Sequence, residues 1–68
     1  MEDVQVGEGG IRLGQLLKAA GLVETGGAAK ELLAAGQVTV NGTVESRRGA
    51  QLRPGDVVAC QGRQVRLT

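Results

Sequence analysis

One thiol, no imidazole and eight cationic side chains are the chemical means of this chain of 68 residues. Cys60 is the only cysteine and histidine is absent. A Cys–His nucleophile pair is therefore impossible, and the usual nitrogen and sulfur metal ligands are missing. Cys60 reads most simply as a small core residue. Glu45 and Asp56 are carboxylates, but Asp56 is accounted for by a tight turn and Glu45 by an exposed strand position, so no acid–base pair stands out. Gly26-Gly27 looks like a fragment of a phosphate loop, yet it lacks the spacing and the Gly-Lys-Ser/Thr ending of a nucleotide-binding loop. What remains is cationic. Arg47-Arg48 followed by Gly49 suits a phosphate clamp, because guanidinium forks match phosphate oxygens; a polar loop tip that keeps a hairpin soluble is the competing reading. On composition alone Arg12, Lys18 and Lys30 read equally well as solvated helix charges, and Arg53 as a solvated residue before a turn. Arg63 and Arg66 read as structural.

The formal net charge of +1 conceals an asymmetry. Glu2, Asp3 and Glu8 lie in a segment without a basic residue, whereas residues 11–68 carry all eight Lys and Arg against four acids. Patches steer a polyanion more than totals do. No Phe, Tyr or Trp is present, which removes the stacking platform of most single-strand binders. The core must be Leu, Val, Ile and Ala, and a domain this small has little left over for a deep substrate cavity. No small-molecule substrate, cofactor or metal is expected. A single cysteine fits a reducing compartment, no stretch approaches the ~20 apolar residues of a membrane span, and the acidic N-terminus lacks the features of a signal peptide. The expected location is the cytoplasm, with no membrane partner.

These cations must be positioned by short elements. Residues 1–10, acidic and Gly-rich with one Val-Gln-Val alternation, read as a frayed tail or a short edge strand; residues 11–68 read as one domain. Leu13, Leu16, Leu17 and Ala20 form a helical stripe, predicting a helix over 12–20 that Gly21 ends. Thr25 suits an N-cap, predicting a second helix with Ala29, Leu32 and Leu33 inward and Gly36 as its stop. Gly26 and Gly27 in its first turn allow close approach, and free N–H groups there favour an anion. Period two then takes over. Val38 and Val40 lead into Asn41-Gly42, a type I′ hairpin signal, and Thr43-Val44-Glu45 returns. After the basic loop 46–52, Arg53-Pro54-Gly55-Asp56 reads as a turn. Strands over 57–60 and 64–67 follow. The expectation is an α+β domain, two N-terminal helices packed on a small antiparallel sheet of about four strands. Its predicted core is Leu13, Leu16, Leu17, Leu32, Leu33, Val38, Val40 and Val57.

The ordered set Arg12-Leu13-Gly14-Gln15-Leu16-Leu17-Lys18, Thr25 through Gly36, Gln37-Val38-Thr39-Val40-Asn41-Gly42, Glu45-Ser46-Arg47-Arg48-Gly49 and Pro54-Gly55-Asp56-Val57-Val58 resembles the RNA-binding domain named after small-subunit ribosomal protein S-four. It looks closest to the short stand-alone bacterial members. The resemblance implies an alpha-L RNA-binding motif and a basic surface on the two helices and the following hairpin. It also implies structured RNA, ribosomal or transfer, as the target, in ribosome assembly or translation. By position, Arg12 matches the Arg that opens the first helix, Thr25 the capping residue, Lys30 a basic position on the second helix, and Asn41-Gly42 the hairpin turn. Many relatives carry Arg directly after the cap, where this chain has Gly26; that contact is lost or Arg47 and Arg48 supply the charge.

The residues expected to meet RNA are thus Arg12, Lys18, Thr25, Gly26, Gly27, Lys30, Asn41, Arg47, Arg48 and Arg53, with no catalytic residue. Two alternatives stay open at this point: a protein-interaction module docking on a ribosomal or RNA-processing protein, and an accessory subunit of an RNA-modifying enzyme or ribosomal complex.

Overall fold

Two-residue turns organise the C-terminal half of the chain. The computed structural model describes residues 1–68. Asn41 and Gly42 have φ of 51° and 85°, the signs a type I′ turn needs. They join strands β3 (Val38–Val40) and β4 (Thr43–Val44), with Val40 opposite Thr43. Gln61 and Gly62, at 51° and 79°, do the same between β6 (Val57–Cys60) and β7 (Arg63–Leu67). Between these hairpins β3 pairs antiparallel with β6.

The N-terminal segment supplies strand β1 (Glu2–Val4), which lies parallel to β7. The main sheet therefore has five strands in the order β1-β7-β6-β3-β4 and is mixed, not wholly antiparallel. A second, two-stranded sheet pairs β2 (Ile11–Arg12) with β5 (Gln51–Leu52). Strands thus precede the helices α1 (Leu13–Ala19) and α2 (Gly26–Ala34). The expected α+β class and helix pair hold, while the strand count and pairing need this correction. Parallel pairing of β1 is a long-range event, continued beyond the strands by Val6 N–H to Thr68 O and Thr68 N–H to Val4 O, both 2.9 Å. Ion pairs from Glu2 to Arg63 and Asp3 to Arg66 add to it.

The helices start and stop where local chemistry directs. Arg12 is extended (φ −83°, ψ 150°) and precedes α1 as its N-cap, so the helix opens one residue later than expected. Its N–H donates to Gln15 Oε1 at 3.1 Å. Thr25 Oγ1 accepts from Ala28 N–H at 3.0 Å, the cap expected of α2. Gly21 and Gly36 follow the helices with φ of 71° each, the left-handed exit that glycine makes cheap.

Leu13, Leu16, Leu17, Ala29, Leu33, Val38, Leu52, Val58, Cys60 and Leu67 form one core. Leu32 and Val40 are partly buried against it. Val57 is not the inward residue of β6; Val58 and Cys60 are. A strand presents alternate residues to one face, so once Val58 sits opposite Val40, Val57 must point away from the helices. No helix is long and apolar enough to cross a membrane.

Candidate nucleic-acid interface

The loop between β4 and β5 docks on the start of α1. Leu13 N–H donates to Ala50 O and Gly14 N–H to Arg48 O, both at 2.9 Å. Two first-turn donors that lack an intrahelical partner thereby hold the loop in place. Gly14 is buried, and a Cβ there would run into the Arg48 side chain. Glycine at this position lets the aliphatic stem of Arg48 lie across the first turn of α1.

That packing shapes a polar cleft of about 430 Å³ lined by Arg12, Gly14, Gln15, Lys18, Gly26, Arg48 and Gly49, with no hydrophobic residue among them. Three elements converge: the start and outer face of α1, the first residue of α2, and the docked loop. Arg12 reaches toward Gly49, and Arg48 toward Gly26. None of Arg12, Lys18 and Arg48 belongs to any of the three ion pairs in the chain. Three unneutralised cations around one concave, carboxylate-free surface suit a polyanion.

Lys30 stands just beyond the cleft. At about 100° per residue it lies about 40° around α2 from Gly26, on the same flank and one turn on. Gly27 is exposed, and a Cβ there would meet only Thr25 Oγ1, at 3.9 Å. Thr25 spends its hydroxyl on capping α2.

The other expected residues are placed elsewhere. Arg47 does not line the cleft; its guanidinium takes both carboxylate oxygens of Glu45 through Nε at 3.2 Å and Nη2 at 3.1 Å. The Arg47 side chain, and next its backbone N–H, hold the Glu45 carboxyl down to about 2. Adjacent in sequence, Arg47 and Arg48 are therefore separated in role: one charge is compensated locally and the other is free. Asn41 donates Nδ2–H to Asp56 Oδ1 at 3.0 Å and accepts from Val57 N–H at 2.9 Å, tying the β3–β4 hairpin to the 53–56 turn. Arg53 is exposed at that turn, where its N–H donates to Asp56 Oδ2 at 2.9 Å; its side chain is outside the cleft and outside every ion pair.

Arg63 and Arg66 are spent on structure. Arg63 binds Glu2 and also donates to Ala20 O at 3.1 Å and Gly21 O at 3.3 Å, at the end of α1; Arg66 pairs with Asp3. The acidic N-terminus thus neutralises the cations of β7, and the free positive charge is concentrated on the helix side. Burial pushes the Cys60 thiol up, away from the reactive thiolate. Gly14, Gln15 and Gly49 line the cleft although sequence reasoning did not select them. The signal for Gly14 was a glycine inside a helical pattern, which costs stability and so asks for a close neighbour.

A helix pair on a short sheet, with a shallow cationic cleft and no enclosed polar pocket, defines a small α+β module suited to a phosphate backbone. Comparison with known proteins gives the family. The S4 domain model matches residues 4–68, and the chain belongs to the S4 domain family. Over 52 residues it is 46% identical to the ribosome maturation protein RlbA (a name given as probable) of Bacillus subtilis (strain 168), covering 76% of this chain and 73% of that one. Over 57 residues it is 39% identical to YbcJ of Escherichia coli (strain K12), named for RNA binding, covering 84% and 81%. The solution structure of E. coli YbcJ, described as revealing an alfaL motif involved in RNA-binding, superposes with a TM-score of 0.77 at 35% identity. That match spans all of this chain and 87% of the other.

Proposed function

We propose that this protein binds structured RNA, ribosomal or transfer, without catalysing a reaction, and serves ribosome assembly or translation in the cytoplasm. The observation that carries the proposal is the cleft. Arg12, Lys18 and Arg48 meet there from separate elements, unpaired and with no carboxylate lining the surface. A phosphate in the cleft has guanidinium forks on two sides, and Gly26 at the start of α2 leaves room for close approach. Lys30 extends the same surface along α2. Names of similar proteins support the reading: one is called RNA-binding and another a ribosome maturation protein.

Folded RNA is favoured over loose strands because no aromatic side chain offers bases a stacking face. The cations recognise the spacing of phosphates, which a folded backbone presents in fixed geometry. The test compares an RNA hairpin with a scrambled strand of equal length at one salt concentration. Tighter binding of the hairpin is expected; equal or tighter binding of the scrambled strand overturns the proposal.

A further inference from the structure

A second surface lies on the other flank of α2. The buried stripe of that helix is Ala29 and Leu33. Gly26 and Lys30 border it on the cleft side, while Leu32 borders it on the opposite side, about 240° around the helix from Gly26. There a groove of about 520 Å³ runs between α2 and the 22–24 connection. Its apolar floor includes Leu22, Val23 and Leu32, each packed on the core from beneath and only partly covered. The connection is pinned: Leu22 N–H and Val23 N–H both donate to Leu17 O, at 2.9 and 3.2 Å. The groove is therefore held by backbone hydrogen bonds to α1.

Its charge is the reverse of the cleft's. Glu24 and Glu31 line it, no cation does, and neither carboxylate takes part in an ion pair. A half-buried apolar strip rimmed by uncompensated carboxylates repels a nucleic-acid backbone. It complements a peptide whose aliphatic side chains are flanked by Lys or Arg.

We propose that this groove docks a basic, aliphatic peptide segment of a partner protein, so that the domain holds RNA on one flank of α2 and a cationic protein segment on the other. A partner that also binds RNA carries Lys and Arg to neutralise phosphate, which supplies the cations such a segment needs. The groove selects segments with leucine-like side chains between the charges. Holding RNA on the cleft flank rests on the proposed function; docking of the peptide does not, since its observations lie wholly on the second surface.

The test uses the intact chain, labelled with nitrogen-15. The probe is an end-blocked peptide of two leucines flanked by arginines; a second peptide carries glutamates in place of the arginines. The arginine peptide is expected to shift the amides of Leu22, Val23 and Leu32 and to saturate by about 5 mM, the range of a weak contact. Glu24→Gln with Glu31→Gln, nearly isosteric at exposed positions, should weaken it roughly fivefold, as expected for two surface ion pairs. Ala35→Lys, an exposed change at the end of α2 that a helix C-terminus tolerates, should weaken it further. Absence of saturation, equal binding of the glutamate peptide, unchanged affinity in both variants, or shifts outside the groove would overturn the proposal. Movement of those three amides on adding an RNA hairpin would overturn it too, by assigning the groove to RNA.

Discussion

Gly14→Ala separates folding from binding. The Gly14 backbone is buried and its N–H is bonded to Arg48 O at 2.9 Å. An added Cβ would overlap Arg48 Cγ and stand 3.1 Å from Cδ, so the Arg48 stem must swing away. Two effects on stability oppose each other. Alanine is favoured over glycine in a helix by up to about 1 kcal/mol, while displacing the stem and disturbing the docked loop costs about 0.5–1.5 kcal/mol. The net change should be under about 1 kcal/mol, a Tm shift within about 7 °C for a domain of this size. Binding has no such compensation. A guanidinium moved out of the cleft forfeits one phosphate contact, about tenfold in affinity or ~1.4 kcal/mol. The slope of log affinity against log salt should flatten by about one unit. Thermal melts and titration of an RNA hairpin at several salt concentrations measure both. Combining Gly14→Ala with Arg48→Ala should add nothing to Arg48→Ala alone, because both remove the same contact. If Gly14→Ala binds with parental affinity and slope, Arg48 does not work from the position seen here.

Three further outcomes follow from the same geometry. Asn41→Ala should lower stability by about 2 kcal/mol, through two lost hydrogen bonds and a positive φ that alanine resists. RNA affinity of the folded protein should stay within about twofold; a large loss in affinity without a loss in Tm would place Asn41 in the interface. Leu16→Ala should cost about 2–5 kcal/mol, since the side chain is wholly buried; an unchanged denaturant midpoint would refute the helix register. Glu45 has a folded pKa of about 2 against an ordinary 4.5, so its contribution to stability is complete above pH 4.5 and is lost as pH falls through 2. An NMR titration of its carboxyl should show that low midpoint, and a midpoint near 4.5 would mean that the Arg47 pair does not persist in solution.

Much of the fold was legible because short-range rules governed it. The Thr25 cap, the positive φ at Asn41-Gly42 and the glycine exits at Gly21 and Gly36 each follow from a few neighbouring residues. The N-terminal segment was left between a frayed tail and a short edge strand; it forms an edge strand at Glu2–Val4, but its parallel pairing with β7 joins opposite ends of the chain, which no local pattern shows. Val57 was mistaken for core because it opens an unbroken apolar run, Val57 to Cys60, whose residue types do not show which alternate pair faces inward. Only the cross-strand register shows that Val58 and Cys60 share the inner face.

The site divides in the same way. Arg12, Lys18 and Gly26 were chosen from sequence and stand together in the cleft. Equating Arg47 with Arg48 overlooked a compensating carboxylate two residues away, and Asn41 was chosen for its place in the motif although its amide is committed to Asp56 and Val57. Gly14 and Gln15 escaped notice because a helix lining is recognised only once the loop against it is known.

The most direct test of the cleft is the salt dependence of RNA-hairpin binding in two variants that lose equal charge. Arg12→Ala with Arg48→Ala removes two cations from the cleft; Arg47→Ala with Arg53→Ala removes two from outside it. The cleft variant should lower affinity at least about tenfold and flatten the slope by about two units, one for each phosphate released. The outer variant should change the slope by less than about half a unit. Equal losses in the two variants would contradict the account, because binding would then follow the overall charge of the protein and not the surface formed by α1, α2 and the docked loop.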